Sequence, residues 1–244
     1  FLISIFYFFK VFKSSIKIKI DIKQIKFMLG YSLGLMPAYL GTIFLSQIDR
    51  IMLNNYMGNF SAGIYSLSYN LSSVLSMIAL AMYNSWLPDY YKLMDKNKYS
   101  EHDRQVLIII KVVSLIACSL ILFSGIFAKI ITNERFHSGL KLIPIIIYGI
   151  YFSMLTPVFT RHISYKRKTY LTSIVLILSG VLNVLLNFYF IPIYGLYASA
   201  YTTLISYMLQ FFLMYLTVKN FLRFHTTSLL KIFNLSIPVL LCFG

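Results

Sequence analysis

Asp49 and Arg50 stand side by side inside a long apolar run, and no other such run holds adjacent opposite charges. In hydrocarbon an ionisable residue is costly, so it marks a pathway, a site or a buried pair. Ser46 precedes the two by three and four residues, which predicts that Ser46, Asp49 and Arg50 share one helical face. Such a pair can line a water-filled cavity, where the guanidinium takes an anion and the carboxylate holds a proton or a cation. It can equally be a structural ion pair that pins helix packing, or an arginine reaching to the headgroups. Three more apolar runs carry polar stripes at near-helical spacing: Ser66, Asn70, Ser73 and Asn84; Thr172, Ser179, Asn183 and Asn187; Ser199, Thr202, Ser206 and Gln210. Single Ser and Thr residues of this kind often hold membrane helices together. Asparagine costs more to bury, so Asn70, Asn183 and Asn187 lead the candidates for a shared hydrated interior, with Gln210 beside them.

Catalytic patterns are missing. No apolar run holds paired carboxylates or a histidine, and there is no Ser–His–Asp arrangement, P-loop or nucleotide-binding glycine fingerprint. His102, His137, His162 and His225 fall in loops without metal-ligand spacing, and Cys118 and Cys242 lie far apart in apolar runs as small hydrophobes. The acids Asp89, Asp95, Glu101 and Asp103 alternate with Lys92, Lys96, Lys98 and Arg104, as a solvated, self-neutralising segment would. The expectation is a protein that is not an enzyme, with no cofactor and no metal site.

The elements that must position these residues follow from composition. Hydrophobic residues make up 59% of the 244 and charged residues 12%, with a mean hydropathy of +0.76. A soluble chain of this size could not bury that much apolar surface, so the chain is a membrane protein. Six runs are long enough to cross a bilayer: 30–55, 62–87, 106–131, 141–160, 170–191 and 196–218. Backbone groups in lipid must bond within the segment, and the alternation of barrel strands is absent, so the fold class is all-α, a polytopic transmembrane helix bundle. The loops at 10–26, 88–105, 161–169 and 219–231 carry 17 of the 22 Lys and Arg, which makes them cytoplasmic by the positive-inside rule. That distribution also accounts for the net charge of +15 without nucleic acid as a partner. The outer turns at 56–61 and 192–195 are too short to hold a soluble active site. Pro37, Pro144 and Pro157 are expected to kink their helices, and the runs 106–131 and 141–160, rich in Ile, Leu, Val and Phe, are expected to face lipid. The apolar stretch 1–9 and the run 232–244 both read as parts of further membrane helices, so a longer parent chain is expected.

The stretch Gln47-Ile48-Asp49-Arg50-Ile51-Met52-Leu53, followed by Gly58 and Ala62-Gly63-Ile64-Tyr65-Ser66-Leu67, resembles the polysaccharide transport family. These are the O-antigen and capsule repeat-unit flippases of the multidrug/oligosaccharidyl-lipid/polysaccharide exporter superfamily. Trp86-Leu87-Pro88, Asn183-x-x-x-Asn187, Ile191-Pro192-x-x-Gly195 and Ala198-x-Ala200 fit the same pattern, which spans about 27–219. The resemblance implies two six-helix lobes around a central cavity that opens alternately to either side. Residues 27–219 would form the C-terminal lobe, 1–26 the end of a preceding helix and a basic cytoplasmic linker, and 220–244 a cytoplasmic segment and the start of a further helix. The implied substrate is an undecaprenyl-diphosphate-linked oligosaccharide, moved across the bacterial cytoplasmic (inner) membrane for surface polysaccharide synthesis. Ser46, Asp49, Arg50, Asn70, Asn183, Asn187 and Gln210 would line its cavity. The implied partners are the lipid-linked oligosaccharide, the lipid bilayer, the absent N-terminal lobe and the polysaccharide polymerase machinery. A cation-coupled multidrug exporter of the same superfamily is the alternative, and a membrane-embedded polysaccharide polymerase or ligase is a more distant one.

Overall fold

A computed structural model describes residues 22–242, in which all regular structure is helical. The helix end and most of the basic linker expected over 1–26 therefore lie outside the described residues. Helix α1 (Ile22–Ser72) is broken at Gly58, whose φ of 83° and ψ of 171° only glycine adopts without strain. The break folds α1 into two antiparallel arms: the Arg50 guanidinium reaches Asn70 at 3.3 Å, twenty residues on. The second arm runs through Ser73 into α2 (Val74–Asp95) with its i to i−4 bonds kept, so 59–95 is in effect one crossing. Helix α3 (Tyr99–Ile131) follows, then a 3₁₀ turn (Glu134–Gly139), α4 (Leu142–Leu155), α5 (Pro157–Tyr165), α6 (Tyr170–Tyr194), α7 (Leu196–Leu216) and α8 (Leu229–Leu241).

Divided at Gly58, and with α4 and α5 taken together, these helices supply the six expected crossings among the described residues. The second of the expected tight turns lies at Gly195, between α6 and α7, with φ 60° and its amide bonded to the Ile191 carbonyl at 2.9 Å. Pro144 falls in the first turn of α4, where its missing N–H is harmless, and Pro157 opens α5 just after the break at Thr156. Of the three prolines expected to kink a crossing, Pro157 is the one at which the helix is interrupted.

The lipid-facing expectation holds only for α3, where Leu115, Leu122, Phe123, Ile126 and Phe127 are exposed. The α4 crossing is instead buried in the middle of the lobe. Ile143, Ile145, Ile146, Ile147 and Ile150 are all enclosed, and Gly149 brings α4 so close to α7 that a Cβ would sit 3.2 Å from Leu204 Cα. A run of Ile and Leu is as much at home against protein as against lipid tails, so hydropathy does not distinguish the two. Three hydroxyls tie the centre: Tyr151 meets Ser114 of α3 at 2.8 Å and Ser236 of α8 at 2.6 Å. On the other flank α6 lies along the first arm of α1, where Ser173 donates to the Gly34 carbonyl at 2.5 Å.

Candidate functional site

The first arm of α1 delivers Asp49 into the seam between α6 and α7. Asp49 is fully buried and is held from three elements. The Tyr65 hydroxyl, on the returning arm, donates to Oδ2 at 2.8 Å, and Thr203 of α7 donates to the same oxygen at 2.5 Å. Asn187 of α6 donates its amide to Oδ1 and also to Asn183 Oδ1, at 3.1 Å for the latter. The Thr202 hydroxyl then donates to Asn187 Oδ1, and Asn183 reaches Thr203 at 3.5 Å. Both asparagines and both threonines are buried. Each of these groups would be stranded alone in an apolar seam; together they satisfy one another.

Arg50 turns the other way. Its guanidinium donates to Gln47 at 3.2 Å and to Asn70 at 3.3 Å, and lies 5.0 Å above the Tyr69 ring. Among the described residues no ion pair involves it, and its Nε is buried without a hydrogen-bond partner. Tyr69 continues the polar surface to Tyr207 of α7 through a 3.0 Å hydroxyl contact. The expected common face of Asp49 and Arg50 is therefore split: adjacent helical residues point about 100° apart, and the α6–α7 seam takes only one. The consequence is electrostatic. The carboxylate is met by neutral donors, and the arginine is left without a carboxylate partner among the described residues.

Ser46, expected on the same face, donates to its own helix at the Ile43 carbonyl, 3.4 Å away, and joins neither group. Gln210 lies farther along α7, touching Thr156 at 3.5 Å, with its Oε1 buried and without a partner among the described residues. Asn70, Asp49, Arg50, Asn183 and Asn187 thus gather on the two sides of one arm, whereas Ser46 and Gln210 stand apart. Tyr65, Thr202 and Thr203 complete the buried set and were not singled out as a group; a tyrosine in an apolar run reads as packing until its hydroxyl partner is known.

Two of the histidines expected in loops are buried in helices. His102 of α3 and His162 of α5 have rings 5.0 Å apart, and Tyr90 bonds His162 Nδ1 at 2.9 Å. Asp103 beside them accepts from Thr227 at 2.8 Å and pairs with His225 at 3.0 Å, which fastens the segment leading to α8. The charge alternation of the α2–α3 turn is as expected, with exposed Lys92–Asp89 and Lys98–Glu101 pairs, each at 3.2 Å.

Residues 1–94 match the family described as "Polysaccharide biosynthesis protein". No curated protein and no solved structure matches the chain. The matched stretch contains Asp49, Arg50, Tyr65 and Asn70, and stops short of the Asn183–Ala200 pattern on α6 and α7. Residues 1–94 of this multi-pass membrane protein are thus similar to the polysaccharide biosynthesis proteins, a likeness in keeping with the Gln47–Leu67 pattern.

Proposed function

We propose that the chain forms one six-crossing lobe of a flippase for undecaprenyl-diphosphate-linked oligosaccharides in the bacterial cytoplasmic membrane. The observation that carries this reading is the Arg50 guanidinium beside Asn70 and Tyr69, on the arm that leads to the turn at Gly58 and without an ion pair among the described residues. A sugar–diphosphate head crossing bare hydrocarbon would lose many hydrogen bonds at several kcal/mol each. A cavity lined by amide and hydroxyl groups replaces those bonds, and a guanidinium meets the diphosphate with charge-assisted ones, each worth about 1.5–3 kcal/mol. The polyprenyl tail stays in the bilayer throughout. Alternating access then requires a second lobe against which this one rocks. Asp49 serves that motion as a rigid tie between α1, α6 and α7, so that the arm bearing Arg50 moves with the lobe.

The test is a deletion of the full gene in the parent bacterium, with the leaflet of lipid-linked repeat units probed by a membrane-impermeant reagent. Complete repeat units should accumulate facing the cytoplasm, and Arg50→Gln should fail to restore export where wild type succeeds. Accumulation on the outer face would point to a polymerase or ligase. Drug sensitivity with no accumulation would point to an exporter of small amphipathic compounds.

A further inference from the structure

Asn70 and Asn84 lie on the same continuous crossing, 59–95, fourteen residues apart. Fourteen residues are four helical turns less about 40°, so both asparagines face the same way, about 21 Å from one another. Each is exposed, and each holds an arginine brought from a different part of the chain. Arg50 reaches Asn70 at 3.3 Å, and Arg161 of α5 reaches Asn84 at 3.1 Å.

The likeness extends to what the arginines lack. Both are half-buried, and both have a buried Nε without a hydrogen-bond partner among the described residues. None of the ion pairs formed by the described residues includes either one. The carboxylates near the cytoplasmic end are otherwise engaged: Asp89 with Lys92, Asp95 with the Tyr165 hydroxyl at 3.0 Å, Asp103 with His225. An amide oxygen orients a guanidinium but leaves its charge and most of its five N–H donors for another acceptor.

Arg161 opens the basic 161–169 segment, and a purely orienting role would leave it in solution with its neighbours. Lys166 and Lys168 do behave that way, exposed and resting over Phe224 and Phe221. Arg161 instead turns inward to a side-chain amide. Between the two asparagines the same face carries Ser73, whose hydroxyl is turned back to the Asn70 carbonyl at 2.7 Å, and then Val74, Met77 and Ala81, all exposed and apolar. An anion following this face therefore meets a guanidinium beside each asparagine and mostly apolar side chains between them.

We propose that Arg161 and Asn84 form a second oxyanion site at the cytoplasmic mouth of the cavity, where the diphosphate group docks before it passes to Arg50. The proposal rests on the flippase reading for its substrate and adds the order of the stations. The geometry makes Arg161 the loading site and Arg50 the station nearer the turn at Gly58.

The probe is inorganic pyrophosphate, titrated onto the full-length protein in nanodiscs. Arg161→Gln should weaken binding about tenfold, Arg50→Gln should do the same, and Arg161→Lys should recover part of the loss. Independently, pyrophosphate should protect Asn84→Cys from an impermeant maleimide in a Cys118→Ser/Cys242→Ser background; this readout keeps Arg161 in place and does not depend on how well its variants fold. Wild-type affinity in Arg161→Gln, with unprotected Asn84→Cys and binding lost in Arg50→Gln, would overturn the second site and leave the flippase reading standing. No pyrophosphate binding by wild type would overturn both.

Discussion

Replacing Asn187 with Leu keeps the side-chain volume and removes three hydrogen bonds from the α6–α7 seam. Thr202 is spared, because its hydroxyl also donates to the Ser199 carbonyl at 3.0 Å. Asp49 Oδ1 and Asn183 Oδ1 are not: each loses the one donor it has among the described residues. Stranding a buried acceptor costs about 1–3 kcal/mol, and more when it is charged. Interhelical hydrogen bonds in membranes average nearer 0.6 kcal/mol and reach about 1.7, because loosened groups find other partners. Asp49 has little such freedom, since Tyr65 and Thr203 already fix its other oxygen. The expected loss is therefore about 2–4 kcal/mol, the carboxylate supplying most of it. Reversible unfolding of the full-length protein in mixed micelles measures this directly. Asp49→Leu combined with Asn187→Leu removes both ends of the bond, and should fall short of the sum of the single losses by at least about 1 kcal/mol. A single-variant loss under about 0.5 kcal/mol, or strict additivity, would refute the idea that the seam is a mutually satisfied network.

Other outcomes follow from single contacts. Gly58→Ala forces an L residue to φ 83°, ψ 171°, and should cost about 1–3 kcal/mol by thermal unfolding, with nothing to clash against since no atom lies within 4 Å of the new Cβ. Gln105→Leu strands the Trp86 indole N–H, now bonded at 2.7 Å; the loss should be about 1–2 kcal/mol, and the emission of this single tryptophan should shift. Asp103→Ala releases both His225 and Thr227, so amide hydrogen exchange over 223–228 should quicken about tenfold while α6 and α7 stay protected.

The crossings and their turns were legible because lipid leaves the backbone one solution and because Gly58 and Pro192-x-x-Gly195 punctuate it. Asp49, Asn183 and Asn187 were legible for the complementary reason, that a polar group in an apolar run needs a partner. The identity of those partners was hidden. Thr203 and Tyr65 lie 154 and 16 residues from Asp49, and nothing local marks a hydroxyl that will meet a carboxylate. The split between Asp49 and Arg50 was hidden as well, since adjacency suggests a pair whereas helical geometry separates neighbours. Arg161 reads as one more orienting charge, because its Asn84 partner lies 77 residues away in the sequence. The central place of α4 could not be read at all, because Ile145 to Ile147 satisfy lipid and protein neighbours equally.

The central claim, that Arg50 meets a diphosphate-linked sugar in transit, is tested most directly in proteoliposomes. The full-length protein is reconstituted with a fluorescent polyprenyl-diphosphate oligosaccharide in the inner leaflet, and its arrival outside is timed with an impermeant quencher. The expected result is translocation by wild type and a rate at least tenfold lower for Arg50→Gln, with Arg50→Lys between them. Equal rates for wild type and Arg50→Gln, at equal protein content and fold, would contradict it.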